Sequence, residues 1–375
     1  VQAYLDHAAT SPVRPETSAA MLPWLTGRFG NPSGSHAVAR EARRAIEEAR
    51  DVMAEVLGVS PGGIVFTGGG TEADNLAVSG VVGARPGTIV TTAIEHEAVL
   101  RAAASTGAEV RLAPVDGDGV VDVEVLSEML DPDVTLVSVM LVNNEVGSVQ
   151  PLDRVAAAVR RRAPGAVVHT DAVQGLLWLD LRRAARPADL ISLSAHKFGG
   201  PQGVGLLAVR GDVPLRPLLH GGGQERERRS GTQNVAGIVG MAAAAQVTDR
   251  ERDDAVASVR RLRDRLVDGL LAAVPGAAET GGRCHKVAGT AHLRFEGVES
   301  EALLFLLDAG GICASAGSAC ASGALEASHV LLAMGHAEVG ALGSLRLTLG
   351  PTTSGADIDA ALAVIPAAVA QLRAG

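Results

Sequence analysis

The middle of the chain alternates short apolar runs with amphipathic segments, and few folds accept that alternation. Ile64–Thr67, Thr88–Thr92, Val134–Met140, Ala166–Thr170 and Leu190–Ser194 are β-branched, brief and bounded by turn residues, the pattern of strands buried on both faces. In Glu41–Leu57 the apolar residues Ile46, Ala49, Met53 and Val56 recur at three- and four-residue steps, and Gly58 follows as a C-terminal cap. Strands alternating with helices predict an open α/β architecture with a mostly parallel sheet covered on both faces. Ligands of such sheets bind beyond the carboxyl ends of the strands, so functional residues are sought there. Aromatic residues make up only 2% of the chain, which leaves Ala, Val and Leu to build the core.

From about Thr248 the texture changes. An Arg/Asp-rich helical segment, Asp249–Val274, leads to a strand at Thr290–Phe295, a helix at Ser300–Ala309, a strand at Ser344–Thr348 and a helix running to Gln371. We expect residues 14–252 to form the large sheet domain, and residues 1–13 with 253–375 to form a smaller α+β domain. A chain of 375 residues is long enough for both. A net charge of −9 argues against nucleic acid or an anionic membrane surface as a direct partner. No stretch approaches the ~20 uninterrupted apolar residues of a membrane span. The first residues carry neither the basic nor the apolar region of a secretory signal. Three cysteines do not make a disulfide framework, and a reducing cytoplasm is the expected compartment.

Four strand ends carry chemistry. Ser194-Ala-His196-Lys197 is followed by a glycine-rich turn; a lysine there suits an aldehyde cofactor, because burial frees the amine that pyridoxal phosphate needs. Ser194 and His196 are placed to reach the phosphate. Asp171, in His169-Thr-Asp-Ala-Val-Gln174, would face the pyridine nitrogen, with Gln174 on the ring hydroxyl. Thr67-Gly-Gly-Gly70-Thr71 precedes a helix and reads as an anion site; no Lys-Ser/Thr pair follows, so one phosphate fits better than a nucleotide. His96 follows another strand and suits ring stacking and acid/base work. Singly, each has a plainer reading, as a surface lysine, a helix-capping Asp, a turn or a solvent-facing His. Asp171 and Lys197 ending consecutive strands are harder to set aside. Cys320 lies among small residues in Gly317-Ser-Ala-Cys-Ala-Ser-Gly, the setting of an exposed nucleophile, whereas Cys313 and Cys284 read as small buried hydrophobes. No second ligand pair stands at zinc spacing.

Together these residues resemble the NifS/IscS-type cysteine desulfurases of the class V aminotransferase group. The resemblance runs from Tyr4-Leu-Asp-His-Ala-Ala-Thr10 to Leu349 and takes in Phe29-Gly-Asn-Pro-Ser33, Val142-Asn-Asn144-Glu-Val-Gly147, Gly221-Gly-Gly-Gln-Glu-Arg-Glu-Arg-Arg-Ser-Gly-Thr232 and Ser344-Leu-Arg346. It implies the type I fold of pyridoxal-phosphate transferases and a reaction that converts L-cysteine to L-alanine, leaving a persulfide on Cys320. It implies Lys197 as the Schiff-base lysine, and Gly70, Thr71, Ser194 and His196 around the phosphate. Asp171, Gln174 and His96 would then serve the ring, and Asn144 with Arg346 the substrate carboxylate. Thr232 would come from the second subunit of a homodimer with shared sites. A sulfur-acceptor protein is the implied partner, in iron–sulfur assembly, tRNA thiolation or another sulfur pathway. Ala327 stands where the family usually has Pro, which suggests a less rigid cysteine loop on that side. Rival readings are a selenocysteine lyase, another class V aminotransferase, and a scaffold subunit without activity.

Overall fold

A computed structural model describes residues 2–316, 327–337 and 342–374. The chain opens with β1 (Ala3–Tyr4), α1 (Pro15–Thr26) and α2 (Ala37–Leu57). Then β2 (Ile64–Thr67), α3 (Gly70–Ala84), β3 (Thr88–Thr92), α4 (Glu97–Ser105), β4 (Val110–Ala113), α5 (Val123–Glu128), β5 (Val134–Ser138), α6 (Leu152–Arg162), β6 (Val167–Asp171), α7 (Leu181–Ala184), β7 (Leu190–Ser194) and β8 (Gly205–Val209) follow. The strands form one seven-stranded sheet in the order β2-β8-β7-β6-β5-β3-β4. Only β8 runs against its neighbours. This is the expected mostly parallel α/β sheet. The expected strands are all present, with β5 stopping at Ser138 and β6 running on to Asp171. The strands β4 and β8 lay outside the sequence reading. β4 has only one buried residue, so its pattern is weak, and β8 is a short apolar run straight after a glycine-rich turn.

α2 starts at Ala37 because the His36 ring Nδ1 accepts the Ala39 N–H at 3.2 Å, and it ends where Gly58 takes a left-handed φ of 63°. Its Ile46, Ala49, Met53 and Val56 are buried in the core under the sheet. α8 (Val235–Ala273) is a single helix of 39 residues. Its first half gives Ile238, Met241, Ala244 and Ala245 to that core, and its second half gives Val259, Leu266, Val267 and Leu270 to another. The expected boundary at 252 falls inside this helix.

Around the second core lie β9 (Ala277–Glu279), β10 (Thr290–Phe295), α9 (Ser300–Ala309), β11 (Ile312–Cys313), β12 (Ser344–Thr348) and α11 (Gly355–Ala374), whereas α10 (His329–Ala333) packs Val330 and Leu331 against Ile94, Met140 and Val146 of the large sheet unit. The order β12-β10-β9 makes an antiparallel sheet. The N-terminal segment belongs here as well: Ala3 and Leu5 lie in the second core, β1 pairs in parallel with β11, and Asp6 bridges Thr348. By length and composition alone α11 could cross a membrane, yet Ile358, Ala361, Ile365, Ala368 and Val369 are packed into the second core. Two cysteine expectations need correction. Cys284 is exposed, in a surface turn between Arg283 and His285, and Cys313 is half-buried with its Sγ 3.0 Å from the Gln2 amide. Cys320 lies outside the described residues.

Candidate active site

The carboxyl ends of β6 and β7 open into a cleft of about 1170 Å³. It is lined by Gly70, Thr71, His96, Asn144, Asp171, Gln174, Ser194, His196, Lys197 and Arg346, so the structure brings together the expected residues with two exceptions. Thr232 is exposed on the 221–234 loop and is not among the residues lining its own chain's cleft. Cys320 is the other, lying beyond the described residues.

Lys197 sits in a 3₁₀ turn, Ala195–Phe198, immediately after β7. Its Nζ donates to the carbonyls of Ala8 at 2.6 Å and Ala9 at 2.9 Å. Burial, helped by the charge of Arg346, pulls its pKa down to about 8, so a useful share of the amine is neutral near physiological pH. Asp171 ends β6 next door; its Oδ1 accepts the Val173 N–H at 2.9 Å. Burial pushes its carboxyl up, while that N–H and the charges of His96 and Lys197 pull the other way. A carboxyl so balanced suits sharing a proton with a ring nitrogen.

Two more buried carboxyls feel the charge of Asp171. Asp74, in the first turns of α3, is pushed well up by burial, and Glu95 is pushed up to about 8 by the same cause. Glu95 Oε1 accepts from Thr92 Oγ1 at 2.7 Å and from the Met140 N–H at 2.8 Å. His169 lies between Ser138 Oγ at 2.8 Å and Ser192 Oγ at 3.0 Å, and burial lowers its pKa to about 3, so it is neutral. Sequence alone does not single out Asp74 and Glu95, because an acid near the start of a helix, as Asp74 is in α3, or in the turn before one, as Glu95 is before α4, ordinarily faces water.

On the other side, α3 begins on Gly69, whose φ of 154° and ψ of 179° suit glycine alone. A Cβ on Gly70 would lie 2.9 Å from Val173 Cγ2 and 3.2 Å from Ser194 Cβ. The helix N-terminus thus packs directly on the ends of β6 and β7, where its free N–H groups make an anion cradle. Burial lowers His196 to about 4, and its Nδ1 is 3.1 Å from Thr10 Oγ1, so it acts as a neutral hydrogen-bonding group. His96 caps α4, its Nδ1 accepting the Ala98 N–H at 3.1 Å. Gln174 Nε2 donates to the Ala8 carbonyl at 2.9 Å. Arg346, on β12 in the second unit, donates Nη1 to the Asn144 carbonyl at 3.1 Å and Nη2 to Asp6 Oδ1 at 3.0 Å. Its Nε is buried with no partner among the described residues.

An amine with a lowered pKa, a buried carboxyl beside it, an amide donor and a one-phosphate cradle fit pyridoxal phosphate. The orphaned Arg346 Nε adds room for an anionic substrate group. The fold and these groups define an α/β transferase that works through an aldehyde cofactor. The chain belongs to the class V aminotransferase family of pyridoxal-phosphate enzymes, whose model matches residues 3–361. It is 47% identical to a protein of Mycobacterium tuberculosis (strain ATCC 25618 / H37Rv) named IscS-like cysteine desulfurase, over 99% of this chain and 97% of that one. Among solved structures, a NifS-like protein matches with a TM-score of 0.92 at 37% identity, covering 99% of this chain and 100% of the other. A structure titled SspA in complex with cysteine matches with a TM-score of 0.82 at 31% identity, over 94% and 100%.

Proposed function

We propose that this protein is a cysteine desulfurase that uses pyridoxal phosphate to convert L-cysteine to L-alanine and collects the sulfur on Cys320. The observation that carries this reading is the meeting of Lys197 and Asp171, at neighbouring strand ends, with Arg346 from the second unit. The likeness to proteins named cysteine desulfurase supplies the substrate. Bound pyridoxal phosphate supplies an electron sink for charge that develops at the substrate Cα.

The chain's own residues do the rest. Gly70, Thr71, Ser194 and His196 would hold the phosphate, Asp171 would keep a proton at the ring nitrogen, Gln174 would serve the ring hydroxyl and His96 the ring. Lys197 Nζ would hold the cofactor, and its neutral amine would take the proton from the substrate Cα. Arg346 and Asn144 orient the substrate carboxylate. The thiolate of Cys320 attacks the substrate sulfur, so an S–S bond forms as the C–S bond breaks. The substrate Cβ is reduced, gaining a proton to become the methyl of alanine, and the transferred sulfur is oxidised to the persulfide level. Cysteine and one thiol thus yield alanine and one persulfide, with no outside oxidant.

Thr232, exposed on its loop, is assigned to the phosphate of a second subunit in a homodimer. A sulfur-acceptor protein takes the persulfide sulfur, in iron–sulfur assembly or tRNA thiolation, and the cytoplasm is the compartment assigned. The test is a spectrum of the purified protein with and without cysteine, together with alanine and persulfide assays. The wild type should show a lysine-linked cofactor band that changes with cysteine, and Lys197→Ala should lack it. Cys320→Ser should still bind cysteine yet form no persulfide. A Cys320→Ser protein that turned over cysteine normally would remove that residue from the mechanism.

A further inference from the structure

The segment Asp6–Ser11 is fixed between the two units of the molecule. Its backbone is tied to β12 by the Asp6–Thr348 bridge, by His7 N–H to the Thr348 carbonyl at 3.2 Å, and by Ala8 N–H to Thr348 Oγ1 at 2.9 Å. Tyr4, the chain's single tyrosine, closes the turn by donating its hydroxyl to the carbonyls of Asp6 at 3.1 Å and Thr10 at 2.7 Å. From this rigid strap the Asp6 carboxylate reaches Arg346 Nη2 at 3.0 Å, with side-chain exposures of 19% and 8%. Arg346 itself stands two residues before Thr348 on the strand that the strap follows.

A guanidinium has five N–H donors in a fixed fork. Here one goes to the Asn144 carbonyl and one to Asp6, while the buried Nε has no partner among the described residues. A buried charged donor left unpaired is costly, and in a cleft it marks the place of an incoming acceptor. We propose that Asp6 is a positioning residue for substrate, holding the Arg346 fork so that its Nε edge is offered to the substrate carboxylate. This rests on the reading that Arg346 receives that carboxylate. Asp6 also contributes negative charge, which on its own would oppose an anionic substrate. Orientation outweighs that repulsion because an unfixed arginine must give up its rotamer freedom each time substrate binds.

The test uses the cofactor-loaded protein, with kinetics for L-cysteine and equilibrium binding of cysteamine, which has the thiol and amine but no carboxylate. Asp6→Ala should raise KM for cysteine about tenfold or more, the scale of one charge-assisted hydrogen bond, with kcat within about twofold and cysteamine binding unchanged. Asp6→Asn keeps an acceptor without the charge and should fall between wild type and Asp6→Ala; it also decides the matter if the alanine variant does not fold. A KM that stays level or falls in Asp6→Asn would overturn the proposal, as would equal weakening of cysteine and cysteamine, which marks a purely structural role. Arg346→Ala separates the two ideas. If it too leaves KM unchanged, the carboxylate site lies elsewhere; if it raises KM where the Asp6 variants do not, only the role of Asp6 fails.

Discussion

Lys197 becomes a reagent through its surroundings. Desolvation and the nearby Arg346 charge disfavour its ammonium form and move its pKa from 10.5 to about 8. The sign of the consequence follows, because the neutral amine attacks an aldehyde and the ammonium does not. Capture of pyridoxal phosphate by cofactor-free protein should speed up as pH rises through about 8 and then level off. A capture rate still climbing tenfold per pH unit up to pH 10 would mean that burial had left the lysine near its ordinary value. His196 and His169 are moved in the same direction by burial and stay neutral across that range, so neither should contribute a second inflection.

At the scale of elements, the loop 221–234 is held in a costly shape. Glu225, Arg226 and Glu227 have φ of 49°, 55° and 65°, a left-handed run that only outside contacts can maintain. The contacts come from α2 and β2, with one more from Gln233 within the loop. Glu225 accepts Arg50 Nη1 at 2.9 Å and Nη2 at 3.1 Å, the Phe66 N–H at 3.0 Å and Gln233 Nε2 at 2.5 Å. Arg50 is 2% exposed and Glu225 1%, so neither charge can turn to water. Nearby, Arg229 Nε reaches Glu72 Oε1 at 2.8 Å, and Glu72 Oε2 accepts the Gly68 N–H at 2.7 Å. The loop that bears Thr232 is thereby fastened to the strand and the turn of its own phosphate cradle. Arg50→Met should cost about 3–5 kcal/mol in urea unfolding, because it strands a buried carboxylate. Replacing Arg50 and Glu225 together by apolar residues should recover much of that loss, and no recovery would locate the cost in cavity formation instead.

At the scale of the whole molecule, the assignment of Thr232 to a second subunit has a sharp consequence. Lys197→Ala and Thr232→Ala should each be inactive or nearly so. In a mixed dimer, the Thr232→Ala chain keeps its own Lys197 and receives an intact Thr232 from the other chain, so one site is whole. Unfolding and refolding the two variants together should restore about a quarter of the wild-type sites, by random pairing. If Thr232 served its own chain, mixing would restore nothing.

What the sequence determined by itself was whatever repeats locally. The strands β2, β3, β5, β6 and β7 and the helix α2 could be read from periodicity and caps, because side-chain spacing along the backbone records which faces are buried. The positions of Lys197, Asp171, Gln174, Gly70 and His96 were legible because strand ends and glycine turns are local signals too, and the family resemblance added Asn144 and Arg346. Only the tertiary structure placed Asp6 on Arg346, across 340 residues, and Glu225 on Arg50, across 175. It alone showed that Asp74 and Glu95 are buried carboxyls rather than solvated ones, and that one 39-residue helix spans both cores. The physical reason is common to all of these. An ion pair or a shifted pKa arises from what a side chain meets after desolvation, and those neighbours arrive from distant parts of the chain.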